Sequence, residues 1–198
     1  MAQAERIKRP YRMVVRAANA QATEQRILAA ARTMFRAQMY DQVSLQAVAR
    51  EAGVTVQTVL RRFGSKEQLF AAMAALLSAT YLPFRDLVAA GDIAAAVGIL
   101  ADQYEEVGDE WLHEMAQEER TEPIRVAVEA GRVYHHAWVQ RIFGPLLHDQ
   151  SATERRVRLG QLIVATDLYT WKLLRRDLGL DRDEYRRAME DLIGRIVT

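Results

Sequence analysis

Two short amphipathic segments between Ser44 and Phe63 constrain the fold of this chain more than any other feature. Each segment is too short to be stable as an isolated helix, and the tripeptide Ala52-Gly53-Val54 joins them. A glycine suits the position after a helix end, where φ is often positive. Apolar residues at helical spacing give each segment one face to bury: Leu45, Val48 and Ala49 in the first, and Val59, Leu60 and Phe63 in the second. This spacing predicts a helix-turn-helix.

Helical spacing of apolar residues continues along the chain, and strand-like alternation is nearly absent, so we predict an all-α fold. The helix from Thr23 is expected to reach about Gln38, and Pro83 is expected to kink or end the helix that starts at Ser65. One helix is predicted from Ala152 to about Asp177. Helix starts are predicted at these capping positions: Thr23, Ser44, Thr55, Ser65 with Gln68, Asp92, Thr121, Ser151 with Glu154, and Asp181 with Glu184.

We therefore divide the chain into three parts. Residues 1–22 form a basic N-terminal arm, residues 23–70 a three-helix domain that contains the helix-turn-helix, and residues 71–198 a helical C-terminal domain.

The composition excludes several classes of function. The chain has no cysteine, which removes disulfides, thiolate zinc sites, iron–sulfur clusters and thiol redox chemistry. No apolar run reaches the roughly 18 residues of a membrane span, and no secretory signal is evident, so a soluble cytoplasmic protein is expected.

Phosphate-binding glycine loops and nucleophile elbows are absent, and the adjacent His135 and His136 point about 100° apart on a helix. We expect no enzyme activity, catalytic residue, metal site or cofactor.

Charge is distributed unevenly along the chain. Residues 1–66 carry 12 Lys/Arg against 4 Asp/Glu, whereas residues 67–198 carry 15 against 22, so the two parts have net charges of +8 and −7. A basic first third joined to an acidic remainder indicates that a polyanion binds at the N-terminal end only. Charge alone leaves DNA, RNA and an anionic membrane open as partners.

The second segment of the turn carries polar side chains that can read a duplex. If its helix begins at Thr55, the N-terminal half of the helix is the part that reaches base edges in a major groove. Gln57 can pair with adenine, and Arg61 with guanine or a phosphate. Val56 or Thr58 can contact a thymine methyl. The alternative is a structural helical hairpin whose polar face is merely solvated.

The same residues resemble the N-terminal domain of TetR-type transcriptional regulators. The resemblance rests on Ile27-Leu28-Ala29-Ala30-Ala31, Phe35, Tyr40, the stretch from Ser44 to Val54, and Arg62-Phe63-Gly64-Ser65-Lys66-Glu67-Gln68-Leu69-Phe70. It implies a homodimer that binds a palindromic operator in double-stranded DNA, usually represses transcription and is released by a small-molecule ligand. We assign DNA binding also to Ser44 and Thr55, at the two helix starts.

Departures from the family pattern bear on the phosphate contacts. The family usually has tyrosine where this chain has Leu60, often histidine or tyrosine where it has Arg62, and commonly glycine where it has Met39. Because that tyrosine is usually a phosphate contact, we expect Arg61 or Arg62 to supply the contact instead. Lys66 matches the family's lysine at the start of the fourth helix, where an ammonium and a helix N-terminus together favour a phosphate.

The N-terminal arm is basic and is interrupted by Pro10. Its arginines Arg9, Arg12 and Arg16 can enter a minor groove or follow phosphates, as homeodomain arms do. The alternatives are an inert tail, an organelle transit peptide and a membrane-surface segment.

The C-terminal domain contains two candidate sets that follow from the resemblance. Ligand pockets are mostly apolar and aromatic, as the first set is. Its members also lie four residues apart in pairs, Trp111 with Met115 and Tyr134 with Trp138, and this spacing is typical of ordinary core packing. The last two helices are candidates for the dimer interface, although their apolar stripes can equally be buried within one subunit. The pocket candidates are Trp111, Met115, Tyr134 and Trp138, and the interface candidates are Val164, Leu168, Trp171, Met189 and Leu192.

The sequence therefore predicts a sequence-specific DNA-binding regulator of transcription, acting as a homodimeric repressor that an unidentified small molecule releases, with no membrane partner. The alternative is a helical carrier or interaction module whose basic end binds RNA or anionic lipid.

Overall fold

The computed structural model describes residues 2–198, and for residues 2–16 it describes the backbone alone. Within this range the chain forms nine α-helices and no strand, which confirms the all-α prediction: α1 (Ala2–Ala37), α2 (Leu45–Glu51), α3 (Val56–Phe63), α4 (Lys66–Asp86), α5 (Ile93–Met115), α6 (Glu122–Phe143), α7 (Ala152–Thr166), α8 (Leu168–Lys172) and α9 (Arg182–Val197). Short 3₁₀ turns lie at Tyr40–Gln42 and Gly144–Leu147, and α8 passes into a π-helical turn at Leu173–Asp177. The helices form two compact units, Met1–Leu76 and Leu77–Thr198.

The first unit packs around a small apolar core that holds the short helices in place. Phe35 of α1 stacks on Tyr40 with ring centroids 5.5 Å apart, and Phe70 of α4 meets both rings edge-on at 5.2 and 5.6 Å. Such aromatic pairs stabilise beyond the area they bury. Side chains from all four helices complete the core: Ile27, Ala31, Val48, Ala49, Val59, Leu69 and Met73.

α1 is longer than the sequence predicts. Thr23 is an interior residue of this helix, and its hydroxyl donates to the carbonyl of Asn19, one turn earlier, at 2.8 Å. The prediction that Thr23 caps the helix is therefore wrong. A threonine hydroxyl can accept from an amide as a cap or donate back to a carbonyl within a helix, and the local sequence does not distinguish the two.

α4 begins as predicted but ends later. The Ser65 hydroxyl oxygen accepts from the amide of Gln68 at 3.2 Å, which makes Ser65 the N-terminal cap. The helix continues through Pro83 to Asp86, so Pro83 does not end it.

The second unit is built by α5 to α9 around a larger apolar core. α5 packs against α6, α8 and α9, and Gly108 of α5 lies directly beneath the fully buried ring of Trp171. The side chains of Asp92, Ser151 and Asp181 accept from the amides of the third helical residues at 2.9, 3.2 and 2.8 Å, which confirms three predicted helix starts. The largest buried side chains of this core are Phe143, Trp138, Trp171 and Tyr185.

The single helix predicted from Ala152 to Asp177 is broken at Asp167. This residue is extended, with φ −70° and ψ 151°, and its carboxylate accepts from the amide of Tyr169 at 2.8 Å to start α8. Side chains satisfy carbonyls that the break releases: the Tyr104 hydroxyl donates to the carbonyl of Thr166 at 3.0 Å, and the Thr170 hydroxyl donates to that of Val164 at 2.5 Å. Because Tyr104 lies on α5, local sequence does not reveal this break.

Candidate nucleic-acid interface

The turn between α2 and α3 has the backbone that its glycine predicts. Gly53 has φ 65°, in the left-handed region that favours glycine. The amide of Val54 donates to the carbonyl of Ala49 at 2.9 Å, and the amide of Ala52 donates to that of Val48 at 2.9 Å, so the end of α2 is closed by its own backbone. The buried Ala49 has a small side chain where the two helices approach.

Ser44 and Thr55 cap the two helices of the turn. The hydroxyl oxygen of Ser44 accepts from the amide of Ala47 at 3.1 Å, and that of Thr55 accepts from the amide of Thr58 at 3.2 Å. Both side chains are exposed. The Thr55 and Thr58 hydroxyls also lie 3.0 Å apart, so the Thr58 hydroxyl has a local partner.

α3 presents one buried face and one open face. Val59 is fully buried, whereas Gln57 and Arg61 are exposed and have no side-chain partner among residues 17–198. Val56 is half-buried at the start of the helix. Leu60, which the apolar pattern placed inward, is 37% exposed, so this part of the prediction is wrong. The open face therefore combines an amide, a guanidinium and an apolar side chain.

Lys66 is engaged by the backbone of its own domain. Its ammonium donates to the carbonyls of Tyr40 and Val43 at 3.0 and 3.1 Å, and it lies 4.3 Å from the centroid of the Tyr40 ring. Burial and the nearby Glu67 raise the pKa of Tyr40 to about 12, so the phenol is neutral beneath the ammonium. Lys66 thus joins the start of α4 to the segment that precedes α2, a role that the sequence did not indicate.

Arg62 is held against α1. Its Nη1 lies 3.3 Å from a carboxylate oxygen of Glu24, and its side chain is 21% exposed. Because this ion pair spans 38 residues of sequence, no local pattern indicates it. Of the two arginines proposed to replace the family's tyrosine, Arg61 is the one that the structure leaves open.

The arginines of the N-terminal arm, Arg9, Arg12 and Arg16, have side chains that lie outside the described residues. Their backbone belongs to α1.

The four pocket candidates are packed to different degrees. Trp138 is 2% exposed, and its indole N–H donates to the carbonyl of Arg85 at 3.0 Å, which places it in the core. Trp111, Met115 and Tyr134 are half-buried and pack against that core. The Tyr134 hydroxyl contacts the carbonyl of Leu82 at 3.1 Å and the carboxylate of Asp86 at 3.0 Å.

The interface candidates separate into two groups. Leu168, Trp171 and Met189 are at most 6% exposed within one chain, so they are core residues and not surface residues. Assigning them to the interface was wrong, because the apolar stripes of a helix do not show which neighbour covers them. Val164 and Leu192 are 67% and 40% exposed.

Among residues 17–198 no three His, Asp or Glu side chains are grouped closely enough to hold a metal ion. In the part of the chain that the structure describes, no helix combines the length and apolarity needed to cross a bilayer.

Residues 27–73 match the family model described as bacterial regulatory proteins, tetR family. This range contains α2, α3 and the parts of α1 and α4 that supply the core of the first unit. Comparison with curated proteins gives no match.

Solved structures of bacterial regulators share the fold. A transcriptional regulator from Rhodococcus sp. Rha1 has a TM-score of 0.68 at 18% identity, covering 88% of this chain and 95% of that chain. NalD, the secondary repressor of the MexAB-OprM multidrug efflux pump in Pseudomonas aeruginosa, has a TM-score of 0.61 at 20% identity, covering 89% and 96%. A TetR-family regulator from Streptomyces coelicolor A3 has a TM-score of 0.53 at 19% identity, covering 89% and 95%. The likeness therefore extends well beyond residues 27–73.

Proposed function

We propose that this chain is a TetR-type DNA-binding regulator of transcription, and that it acts as a homodimeric repressor that binds a palindromic operator and is released by a small molecule; the match of residues 27–73 to the tetR family model and the shared fold support this. The open face of α3 carries the proposal. Gln57 and Arg61 are exposed beside a fully buried Val59, so the helix is fixed while its polar side chains are available. A rigid helix with free polar groups is what base readout in a major groove requires.

We assign different roles to the residues of this face. Gln57 reads a base, because its amide can pair with both N6 and N7 of adenine. Arg61 contacts a phosphate or guanine, since Arg62 is paired with Glu24. Ser44 and Thr55 use their hydroxyl oxygens as caps. The Ser44 hydroxyl hydrogen is left able to donate to a phosphate, and the Thr55 hydrogen is left able to do so when Thr58 is the donor of the Thr55–Thr58 pair.

Repression and release by a ligand are each supported by one observation. NalD is described as a repressor, and it shares the fold of this chain. The half-buried Trp111, Met115 and Tyr134 are apolar or aromatic, as ligand pockets usually are. Repression is tested by a transcription assay on a template that carries the operator found by the selection described next. Added protein is expected to lower the amount of transcript.

Selection of bound duplexes from a random pool, followed by affinity measurements across salt concentrations, tests DNA recognition. A palindromic consensus is expected. Gln57→Ala should lose about 1–3 kcal/mol of preference at one base pair. Arg61→Ala should weaken binding to all duplexes and reduce the salt slope by about one if Arg61 contacts a phosphate, and should relax preference at one G·C pair if it contacts guanine. Arg187→Ala, at an exposed arginine of α9, is the control and should change neither. Equal affinity for duplex DNA, RNA and heparin would overturn the proposal in favour of a general polyanion binder.

A further inference from the structure

Arg85, near the end of α4, is buried in the second unit without a carboxylate beside it. The residue is 3% exposed. Its Nε donates to the side-chain oxygen of Gln103, and its Nη1 donates to Nδ1 of His135 at 3.2 Å. The rings of Tyr104 and Trp138 each lie 5.5 Å from the guanidinium carbon. Across residues 17–198, no Asp or Glu forms an ion pair with this guanidinium.

Acidic side chains close to Arg85 in sequence or on the facing helix have other partners. Asp86 accepts from the Tyr134 hydroxyl at 3.0 Å and pairs with Arg141 at 3.4 Å. Glu105 accepts from the indole of Trp171 and from Arg175. A guanidinium keeps its charge in a protein, and a buried charge without a counter-charge is strongly destabilising. Arg85 is therefore a place where an external anion would be stabilising.

Gln103 supplies an unsatisfied donor beside this unpaired charge. It is 4% exposed, and its side-chain nitrogen is buried without a hydrogen-bond partner in the described part of the chain. The side-chain oxygen accepts from Arg85, which fixes the orientation of the amide and leaves the NH₂ group as the open end. Buried polar groups in proteins nearly always have partners, so an unpaired donor beside a charge without a counter-charge is unusual.

The rest of the cluster offers no negative charge to Arg85 and no acceptor to the side-chain nitrogen of Gln103. Nδ1 of His135 accepts from Arg85, its Nε2 then donates to the Thr166 hydroxyl at 3.0 Å, and that hydroxyl donates to the carbonyl of Leu162 at 2.7 Å. Burial, followed by the charge of Arg85, lowers the pKa of His135 to about 3, so the ring is neutral. The cluster thus lacks a negative charge beside Arg85 and an acceptor for the side-chain nitrogen of Gln103.

We propose that the second unit binds a small organic anion, a carboxylate with an apolar or aromatic body, whose oxygens accept from Arg85 and from the side-chain nitrogen of Gln103. An arginine fork suits the two oxygens of a carboxylate. The body would lie among aromatic rings, since Tyr104 and Trp138 flank the guanidinium and Trp111 meets Tyr104 edge-on at 6.4 Å. The inference rests on the ligand-released function proposed above, for which it names the class of ligand.

Binding of simple acids to the full chain tests the site without DNA. The probes are benzoate, phenylacetate and octanoate, each compared with its neutral amide by isothermal titration calorimetry and thermal unfolding. At least one acid is expected to bind and to raise the unfolding temperature, while its amide does neither. Arg85→Met should weaken acid binding about a hundredfold, since hydrogen bonds to charged groups are lost. Arg187→Met, at an exposed position of α9, is the matched control and should leave it unchanged.

Gln103→Glu separates an anion site from a merely structural arginine. The change is nearly isosteric and places a carboxylate beside Arg85, so we expect a higher unfolding temperature without ligand and the loss of acid binding through repulsion. If Arg85 needs no counter-charge, the added buried carboxylate lowers the unfolding temperature instead. This variant decides the question even if Arg85→Met does not fold.

Failure of the site and failure of the proposed function have different signatures. Equal binding of acids and amides, or no binding of any acid, overturns the anion site whatever the protein does on DNA. If an acid binds in an Arg85-dependent way but operator affinity is unchanged, the site stands and ligand release fails.

Discussion

Among single residues, Lys66 has a structural role that follows from its two carbonyl contacts. We expect Lys66→Ala to destabilise the first unit by about 1–3 kcal/mol, because the carbonyls of Tyr40 and Val43 lose a charged donor. All three tryptophans lie in the second unit, so hydrogen exchange of the α2 and α3 amides, and not tryptophan fluorescence, is the suitable measurement. Arg61→Ala is the control and should leave this protection unchanged. If the α2 and α3 amides of Lys66→Ala stay fully protected from hydrogen exchange while its affinity for DNA falls, Lys66 acts only as a phosphate contact.

His135 should make stability depend on pH. Its pKa in the folded protein is about 3, against an ordinary value of 6.5, because it is buried beside Arg85 and His136. Between these values the unfolded chain binds a proton that the folded chain does not, so stability falls as pH is lowered below 6.5. The loss is up to about 1.4 kcal/mol per pH unit, or roughly 2 kcal/mol by pH 5.

His135→Gln isolates this effect, because glutamine can accept from Arg85 and donate to Thr166 without titrating. Urea unfolding at pH 7.5, 6 and 5 is expected to give a flatter pH dependence in this variant than in the unchanged protein. Parallel curves would show that His135 is not the titrating group.

The residues of α3 and the residues around it illustrate what the sequence can and cannot predict. The exposure of Gln57 and Arg61 follows from helical periodicity once Thr55 is identified as the cap, because all the necessary contacts are local. The pairing of Arg62 with Glu24, and the carbonyl contacts of Lys66, join parts of the chain more than twenty residues apart. Nothing in the sequence around Arg85 distinguishes it from a solvated arginine, since Asp86 follows it directly.

Among the helices, α5 tolerates the ring of Trp171 only because residue 108 has no side chain. A Cβ at Gly108 would lie 2.7 Å from this ring, which is fully buried and anchored by its N–H to Glu105 at 3.0 Å. Gly108→Ala should therefore destabilise the second unit by about 1–3 kcal/mol through overpacking. The higher helix propensity of alanine should offset about 1 kcal/mol of this destabilisation.

Gly131→Ala is the matched helical control, since nothing lies within 4 Å of a Cβ at this exposed position of α6. It should stabilise the protein by up to about 1 kcal/mol. Urea unfolding followed by tryptophan fluorescence measures both variants. If the two substitutions shift stability in the same direction by the same amount, the Trp171 ring does not restrict residue 108.

The sequence predicts helix starts more accurately than helix continuity. Ser44, Thr55, Asp92, Ser151 and Asp181 all cap helices, because a cap is a contact between a side chain and an amide only two or three residues away. The sequence does not predict the break at Asp167, because the Tyr104 hydroxyl that stabilises it comes from another helix.

At the scale of the whole molecule, specific binding to a duplex depends on both the charge distribution and the proposed dimer. The first 66 residues carry a net charge of +8 and the remainder −7, so only the N-terminal part attracts a duplex. Reading successive major grooves requires two recognition helices about 34–36 Å apart, which one chain with one α3 does not supply. The proposed binding to a palindromic operator therefore requires a second copy of the chain.

We locate the proposed dimer contact on the exposed apolar side chains of α7 and α9. Val157 and Val164 lie seven residues apart on α7 and are 52% and 67% exposed, and Leu192 is 40% exposed on the neighbouring α9. Val164→Glu should convert a dimer to a monomer in analytical ultracentrifugation, because it places a charge in the apolar contact. Loss of bivalent binding should then lower affinity for the palindrome about 10²-fold or more and leave affinity for an isolated half-site unchanged. Val133→Glu is the matched control, since Val133 is 62% exposed on α6. A Val164→Glu protein that stays dimeric, or a Val133→Glu protein that dissociates equally, would place the contact elsewhere.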